Sequence, residues 1–274
     1  MIAVELRKLL RRPRTWVVIA LINMLPTLVA ILLAVTDLGP RPGTGPALLS
    51  AVLTNGQLFP AAALAIVLPL FLPIAVAVIA GDSISGEAQA STLRYLLIRP
   101  VGRTRLLVAK LVAISAFVGL AVVAVAAIGY VVGTSLFGTA PLRGDALAAV
   151  SVSGTPLTPR EVLIRTLLAM LYVALSMLGV AAVALFLSTL TDSPLAAALG
   201  ALAVLVTSTL LLTLDAARAL APYLPTRYWL AYLDLFRQPI QWREVVRGVG
   251  LQAGYVVVLL GAAWANFTTK DITS

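Results

Sequence analysis

The chain has 274 residues, of which 61% are hydrophobic and only 11% charged, with a mean hydropathy of +1.03; soluble domains carry about 25% charged residues, so the composition is that of a protein solvated mainly by lipid. It contains no Cys and no His, which excludes disulfides, thiolate nucleophiles, Cys/His zinc sites, a Ser–His dyad within the chain and haem ligation by those residues. The formal charge of +9 is no argument for nucleic acid, because the basic residues fall between long apolar runs, the pattern that orients a membrane protein.

In chain order, residues 1–14 read as a short interfacial helix. Ile2, Ala3, Leu6, Leu9 and Leu10 share one face, and Glu5, Arg7, Lys8, Arg11 and Arg12 the other. A bilayer core of about 30 Å needs roughly 20 apolar residues as helix, and six stretches meet that requirement: approximately 16–35, 57–80, 106–137, 162–190, 194–214 and 249–267. The first is too long for the apolar core of a secretory leader and no convincing small-residue cleavage site follows, so it is expected to be a retained span. The third and fourth exceed the minimum and are expected to tilt or to project past the membrane. Thr191-Asp192-Ser193-Pro194 separates spans four and five as a tight hairpin, with Pro194 in the first turn of the new helix.

Arg7, Lys8, Arg11, Arg12 and Arg14 precede the first span, which places the N-terminus in the cytoplasm by the positive-inside rule. Arg94, Arg99, Arg103, Arg105 and Lys110 follow span two and fall on the same side, whereas residues 37–56 carry only Arg41. Six spans bring Lys270 back inside. The segment between spans five and six runs against this count, since Arg218, Arg227, Arg237, Arg243 and Arg247 would lie outside, only partly offset by Asp215, Asp234 and Glu244. Its Tyr223, Tyr228, Trp229, Tyr232, Phe236 and Trp242 fit either short amphipathic helices on the outer interface or a simple connection with aromatic anchors at headgroup level. Trp16 and Trp264 are expected as anchors at the inner ends of spans one and six.

The apolar stretches hold essentially no ionisable side chains; Asp37, Asp82, Asp192 and Asp215 fall at predicted ends. That disfavours a proton-driven transporter, which needs buried titratable groups, while a sodium site of carbonyls and hydroxyls stays open. An intramembrane aspartyl protease would want Gly-x-Gly-Asp, and Ile79-Ala80-Gly81-Asp82 lacks the first Gly. Asn23, Thr27, Gln57, Pro69, Pro73, Ser176, Thr207 and Thr209 are polar or kinking positions within spans and form the candidate substrate path or hinge, against the plainer reading of helix packing. Gly119, Gly129 and Gly133 in span three fit close helix approach.

The most informative stretch is GDSISGEAQASTLRYLLIRPVGRTRLLVAK, residues 81–110. Asp82 and Ser83 can cap a helix there. Glu87, Ser91 and Arg94 would form a polar stripe, Leu93, Leu96 and Leu97 an apolar one, and Arg99-Pro100 ends the run. The product is a short helix of approximately 83–98, exposed between two spans, whose apolar ridge flanked by charges suits either protein docking or burial in headgroups.

This stretch resembles the segment after the second span in type-2 ABC-transporter permeases: Asp82, Gly86, Glu87, Thr92, Leu93, Leu96, Leu97, Arg99, Pro100, Arg103 and Lys110 match that pattern, and Ser91 stands where a Gly is usual. The ending Phe267-Thr268-Thr269-Lys270-Asp271-Ile272 is also similar, with Lys270 in place of the usual Arg. The resemblance covers the whole chain. It implies a single transmembrane domain over 1–274, all-α, with six transmembrane helices, an N-terminal interfacial helix, a cytoplasmic coupling helix between spans two and three and an outer amphipathic segment between spans five and six. It further implies a non-catalytic permease in the cell membrane, both termini cytoplasmic, pairing with a second copy or a related permease and with two separate ATPase subunits that bind ATP and magnesium. Asp82, Glu87, Thr92, Leu93, Arg94, Arg99 and Arg103 are then the candidates for coupling to the ATPase.

The residues agree on the energy source: Lys8, Lys110 and Lys270 are the only lysines, and none follows a Gly as a phosphate-binding loop requires. The expected role is ATP-driven export of a small or amphipathic substrate. The alternatives are a stand-alone secondary transporter or channel, and a membrane scaffold without transport.

Overall fold

The computed structural model describes residues 2–36, 48–53, 55–89, 103–139, 149–150 and 156–269. Helix α1, Ile2–Arg11, buries none of its residues and leaves Ile2, Val4 and Leu10 exposed. Helix α2, Pro13–Thr36, follows after one residue, with proline at a helix start, where its missing N–H costs nothing. Side chains of α2 close the end of α1: Thr15 Oγ1 donates to the Leu9 carbonyl and Trp16 Nε1 to that of Leu10, both at 2.8 Å, satisfying acceptors that a helix end leaves orphaned.

A short helix α3, Leu49–Val52, leads to a 3-10 turn at Gly56–Leu58 and then to helix α4, Phe59–Val67. Helix α5, Phe71–Gln89, continues the same apolar run but is bent from it by 61°. The second span is therefore broken, not a single run over 57–80. Pro69 lies at the break and Pro73 in the first turn beyond it, and each removes a backbone donor that a continuous helix would use.

The structure corrects a second expectation. Asp82 and Ser83 do not start a helix; α5 runs through both to Gln89. Serine hydroxyls make this polar turn compatible with helix, Ser83 Oγ donating to the Ala80 carbonyl at 2.6 Å and Ser85 Oγ to that of Gly81 at 2.5 Å. Residues 83–89 thus prolong the second span, and 90–102 lie outside the described residues.

Helices α6, Arg103–Phe137, α7, Pro159–Leu190, α8, Pro194–Thr213, and α9, Trp242–Thr269, complete the bundle. A two-residue antiparallel ladder, Ala149–Val150 with Pro156–Leu157, lies in the connection before α7. Among the described residues five helices (α2, α6, α7, α8 and α9) are long and apolar enough to cross a bilayer, and counting the bent pair as one span gives six. At 35 residues, α6 is about 52 Å long, well beyond the hydrocarbon core. The α7–α8 hairpin is as tight as its sequence requires: Ser193 Oγ accepts from the Ala196 amide at 3.3 Å with Pro194 in the first turn.

The bundle centres on α7, which packs against α5, α6, α8 and α9 and buries Tyr172, Met177, Ala181 and Leu185 along its length. At one edge α6 meets α4 closely. A Cβ on Gly133 would overlap the Gly56 carbonyl and the Phe59 side chain, while one on Gly119 would meet nothing.

The segment between α8 and α9 departs furthest from expectation. It is a chain of 3-10 turns at Asp215–Ala217, Ala221–Tyr223 and Trp229–Phe236. Tyr223 and Trp242 are exposed, as interfacial anchors would be, but Tyr228, Trp229, Tyr232 and Phe236 are buried in the bundle. The spans hold this irregular backbone by its carbonyls. Tyr172 Oη donates to Tyr228 at 2.6 Å, Gln252 Nε2 to Pro225 at 2.7 Å, and Arg165 Nη1 to Leu235 and Arg237 at 3.0 and 2.9 Å. Tyr232 Oη returns to the Ala61 carbonyl of α4 at 2.9 Å. Within the segment, Arg218, Arg237 and Arg247 each pair with an acidic residue three positions earlier, Asp215, Asp234 and Glu244.

Gly133→Ala is expected to destabilise the protein by about 1–3 kcal/mol, because the overlap is with backbone, whereas Gly119→Ala should stabilise it by about 0.5–1 kcal/mol through helix propensity. Thermal unfolding of the purified protein in mild detergent separates the two signs.

Candidate functional site

The end of the bundle that carries the N-terminus gathers the beginnings or ends of α1, α2, α5, α6, α7 and α9. Its centre is Lys110, about two turns into α6. Leu106, Leu107, Ala113 and Ile114 around it are buried, so residue 110 lies on the inward face of the helix. A lysine there has to find carboxylates, and it finds two. Lys110 Nζ pairs with Glu87 of α5 in a very short contact and with Glu5 of α1 at 3.2 Å. Glu87 also pairs with Lys8 of α1 at 3.0 Å. Lys110 and Glu87 are only 5% and 9% exposed in their side chains, Lys8 39%. Four charges summing to zero thus join α1, α5 and α6.

A second group lies one turn earlier on α5. Asp82 pairs with Arg14 at 2.5 Å and with Arg12 at 3.6 Å. Between the two groups is a cavity of about 300 Å³ lined by Glu5, Lys8, Arg12, Arg14, Asp82 and Glu87 among others.

The far side of the same turn is held by α7. Ser188 Oγ donates to the Gly81 carbonyl at 2.7 Å and accepts from the amides of Ser85 at 3.0 Å and Ile84 at 3.2 Å. The Ser188 hydroxyl, fully buried, thereby sits inside a turn of α5, an arrangement that weakens a helix locally and marks a place to bend. Asn266 of α9 donates to the Thr189 carbonyl and hydroxyl, both at 3.0 Å, and Trp264 Nε1 to Thr104 Oγ1 of α6 at 3.0 Å. Trp16 and Trp264 are both about half exposed at this end, in keeping with interfacial anchoring.

Of the coupling candidates, the structure brings Asp82 and Glu87 into this end. Thr92, Leu93, Arg94 and Arg99 lie outside the described residues, and Arg103 is the first residue of α6. The residues that sequence reasoning missed are their partners: Glu5, Lys8, Arg12, Arg14, Ser188 and above all Lys110. Lys110 and, at the opposite end, Arg165 correct the expectation that the spans hold essentially no ionisable side chains; both are buried within apolar helices. The signal for Lys110 was present, since apolar residues surround it at i±3 and i±4.

The candidate path residues do not converge. Asn23 and Thr27 bond within α2, Asn23 Nδ2 to the Ile19 carbonyl and Thr27 Oγ1 to that of Asn23. Gln57 lies in the 3-10 turn before α4, Ser176 Oγ bonds back to Tyr172 within α7, and Thr207 is exposed. Pro69, Pro73 and Thr209 share a cleft, which is apolar, about 210 Å³ in volume and bounded by Trp229. No His, Cys, Asp or Glu cluster fit for a metal occurs among the described residues.

Replacing Lys110 by Met leaves two carboxylates facing each other at a buried position, with an expected loss of about 3–5 kcal/mol. Lys8→Met, at a half-exposed pair, should cost about 1 kcal/mol or less. Heat-induced loss of monodisperse protein measures both, and equal effects would refute a central role for Lys110.

A comparison with curated proteins gives no match. The family described as ABC-2 family transporter protein, by contrast, matches residues 1–272. With a match over nearly its full length, on a bundle of membrane-spanning helices, the chain belongs to the ABC-2 transporter family, as the membrane permease component of an ABC transporter.

Proposed function

We propose that this permease couples ATP hydrolysis by a separate ATPase subunit to export of a small or amphipathic substrate. The observation that carries the reading is the ion-paired base formed by Glu5, Lys8, Glu87 and Lys110. It stands where α5 leaves the bundle and α6 re-enters it, so it frames residues 90–102, the stretch that carries Thr92, Leu93, Arg94 and Arg99. A push on that stretch reaches α5 and α6 together, and α1 with them. The Ser188 hydroxyl within α5 and the 61° break at Pro69 give the second span two places to flex.

In this reading the end bearing the N-terminus is cytoplasmic, since Arg7, Lys8, Arg11, Arg12, Arg14 and Arg105 gather there. At the opposite end Arg218, Arg237 and Arg247 are each paired with a nearby acid. The complex holds two permeases, identical or related, and two ATPases that bind ATP and magnesium. Neither nucleotide nor metal is assigned to this chain, which lacks a phosphate-binding loop.

The test is ATP turnover of the permease co-expressed and co-purified with an ATPase encoded beside it. Glu87→Arg reverses a charge at a buried pair, a change costing well over the 1.4 kcal/mol that corresponds to a factor of ten, so assembly or turnover should fall to below about a tenth. Glu244→Gln, at a half-exposed pair of the opposite end, should change turnover by about twofold or less. A folded protein that binds no ATPase and transports or conducts alone would overturn the proposal.

A further inference from the structure

The Arg12–Arg14–Asp82 group has a composition that the Lys110 network does not. In the network the charges cancel; here, among the described residues, two guanidinium groups share one carboxylate, so the group carries a net charge of +1. The sharing is unequal, with Arg14 at 2.5 Å and Arg12 at 3.6 Å from the same oxygen of Asp82. Both arginine side chains are 44% exposed, so they stand at the mouth of the 300 Å³ cavity and not in its floor. Planar guanidinium groups bind phosphate through paired N–H donors.

What lies beside them selects the ligand. Trp16, half exposed, follows at once on α2, and below it Val17, Leu21, Met24 and Leu28 are all exposed at intervals of four, three and four residues. They form one apolar stripe along the outer face of the helix. From Val17 to Leu28 this stripe is about 16 Å long, close to half of the roughly 30 Å hydrocarbon core, or one leaflet. Arg12 in the α1–α2 elbow, then Arg14, an indole and an apolar stripe of one leaflet's length on α2, therefore follow one another in sequence.

We infer that Arg12 and Arg14 form a binding site for the phosphate of an anionic phospholipid whose acyl chain lies along the Val17–Leu28 face of α2. The bound phosphate takes up the net positive charge of this group and fixes the α1–α2 elbow against α5 through Asp82. The site belongs to the permease alone and is independent of ATP turnover, so its failure would leave the proposed coupling role standing.

The test is native mass spectrometry of the full chain in mild detergent with an equimolar mixture of phosphatidylglycerol and phosphatidylcholine of identical chains. The wild-type protein is expected to retain phosphatidylglycerol over phosphatidylcholine by about fivefold or more, the factor for one basic residue at a membrane surface. Arg12→Gln with Arg14→Gln should bring that ratio near one, while Arg7→Gln with Arg11→Gln, which removes the same formal charge from α1, should leave it. Soluble glycerol 3-phosphate in excess should not displace the lipid. Equal retention of both lipids by the wild-type protein overturns the inference without need of any variant. So does an equal loss in the two double variants, or displacement by glycerol 3-phosphate, which would mark a site for free anions.

Discussion

A lysine buried in an apolar helix has few acceptable surroundings, because its charge must be met within hydrogen-bonding distance by groups that water no longer supplies. At residue 110 that requirement draws Glu5 from α1 and Glu87 from α5 onto α6. The consequences spread outward. Lys8 completes the pairing of Glu87 and so fixes the register of α1. Thr15 and Trp16 then close the end of α1 and set the elbow into α2. With Asp82 held by Arg12 and Arg14 on the preceding turn, a run rich in Ser and Gly stays helical to Gln89.

The opposite end solves a different problem. Residues 215–241 are largely not α-helical, and irregular backbone is tolerated at membrane depth only where protein satisfies its polar groups. Here Arg165, Tyr172 and Gln252 reach out of the spans to its carbonyls. Lys110 and Arg165, both buried, therefore do opposite jobs. Lys110 binds carboxylates on two separate helices and ties them to α6; Arg165 donates to main-chain carbonyls and holds a cap in place. The break near Pro69 lies between them, with Tyr232 of the cap bonded to α4 on one side of it.

Much of this was legible in the chain. Five spans and the α7–α8 hairpin follow from apolar length and from Thr191-Asp192-Ser193-Pro194, and the amphipathic α1 from its two faces. The family is carried by the stretch around Gly86-Glu87 and the C-terminal ending. What escaped was long-range pairing. Composition shows that Lys110 is flanked by apolar residues, but not that Glu5 and Glu87 arrive beside it. The aromatic segment misled because Tyr and Trp suit both an interface and a buried site with a hydrogen-bond acceptor, and only the carbonyl of Ala61 decides which Tyr232 takes. The helix start proposed at Asp82 failed because capping residues remain compatible with helix when their side chains are paired elsewhere.

The central claim is that α1 and the end of α5 form one unit, joined through Lys110, which moves when the ATPase closes. The chain has no cysteine of its own, so spin labels can be placed at the exposed positions Val4, Gln89 and Leu220 after Val4→Cys, Gln89→Cys and Leu220→Cys. Pulsed electron paramagnetic resonance on the permease–ATPase complex would then give distances with and without nucleotide. The account predicts that the distribution between 4 and 89 stays narrow and unchanged while that between 4 and 220 shifts. Separation of 4 from 89 on nucleotide binding, with turnover intact, would contradict it.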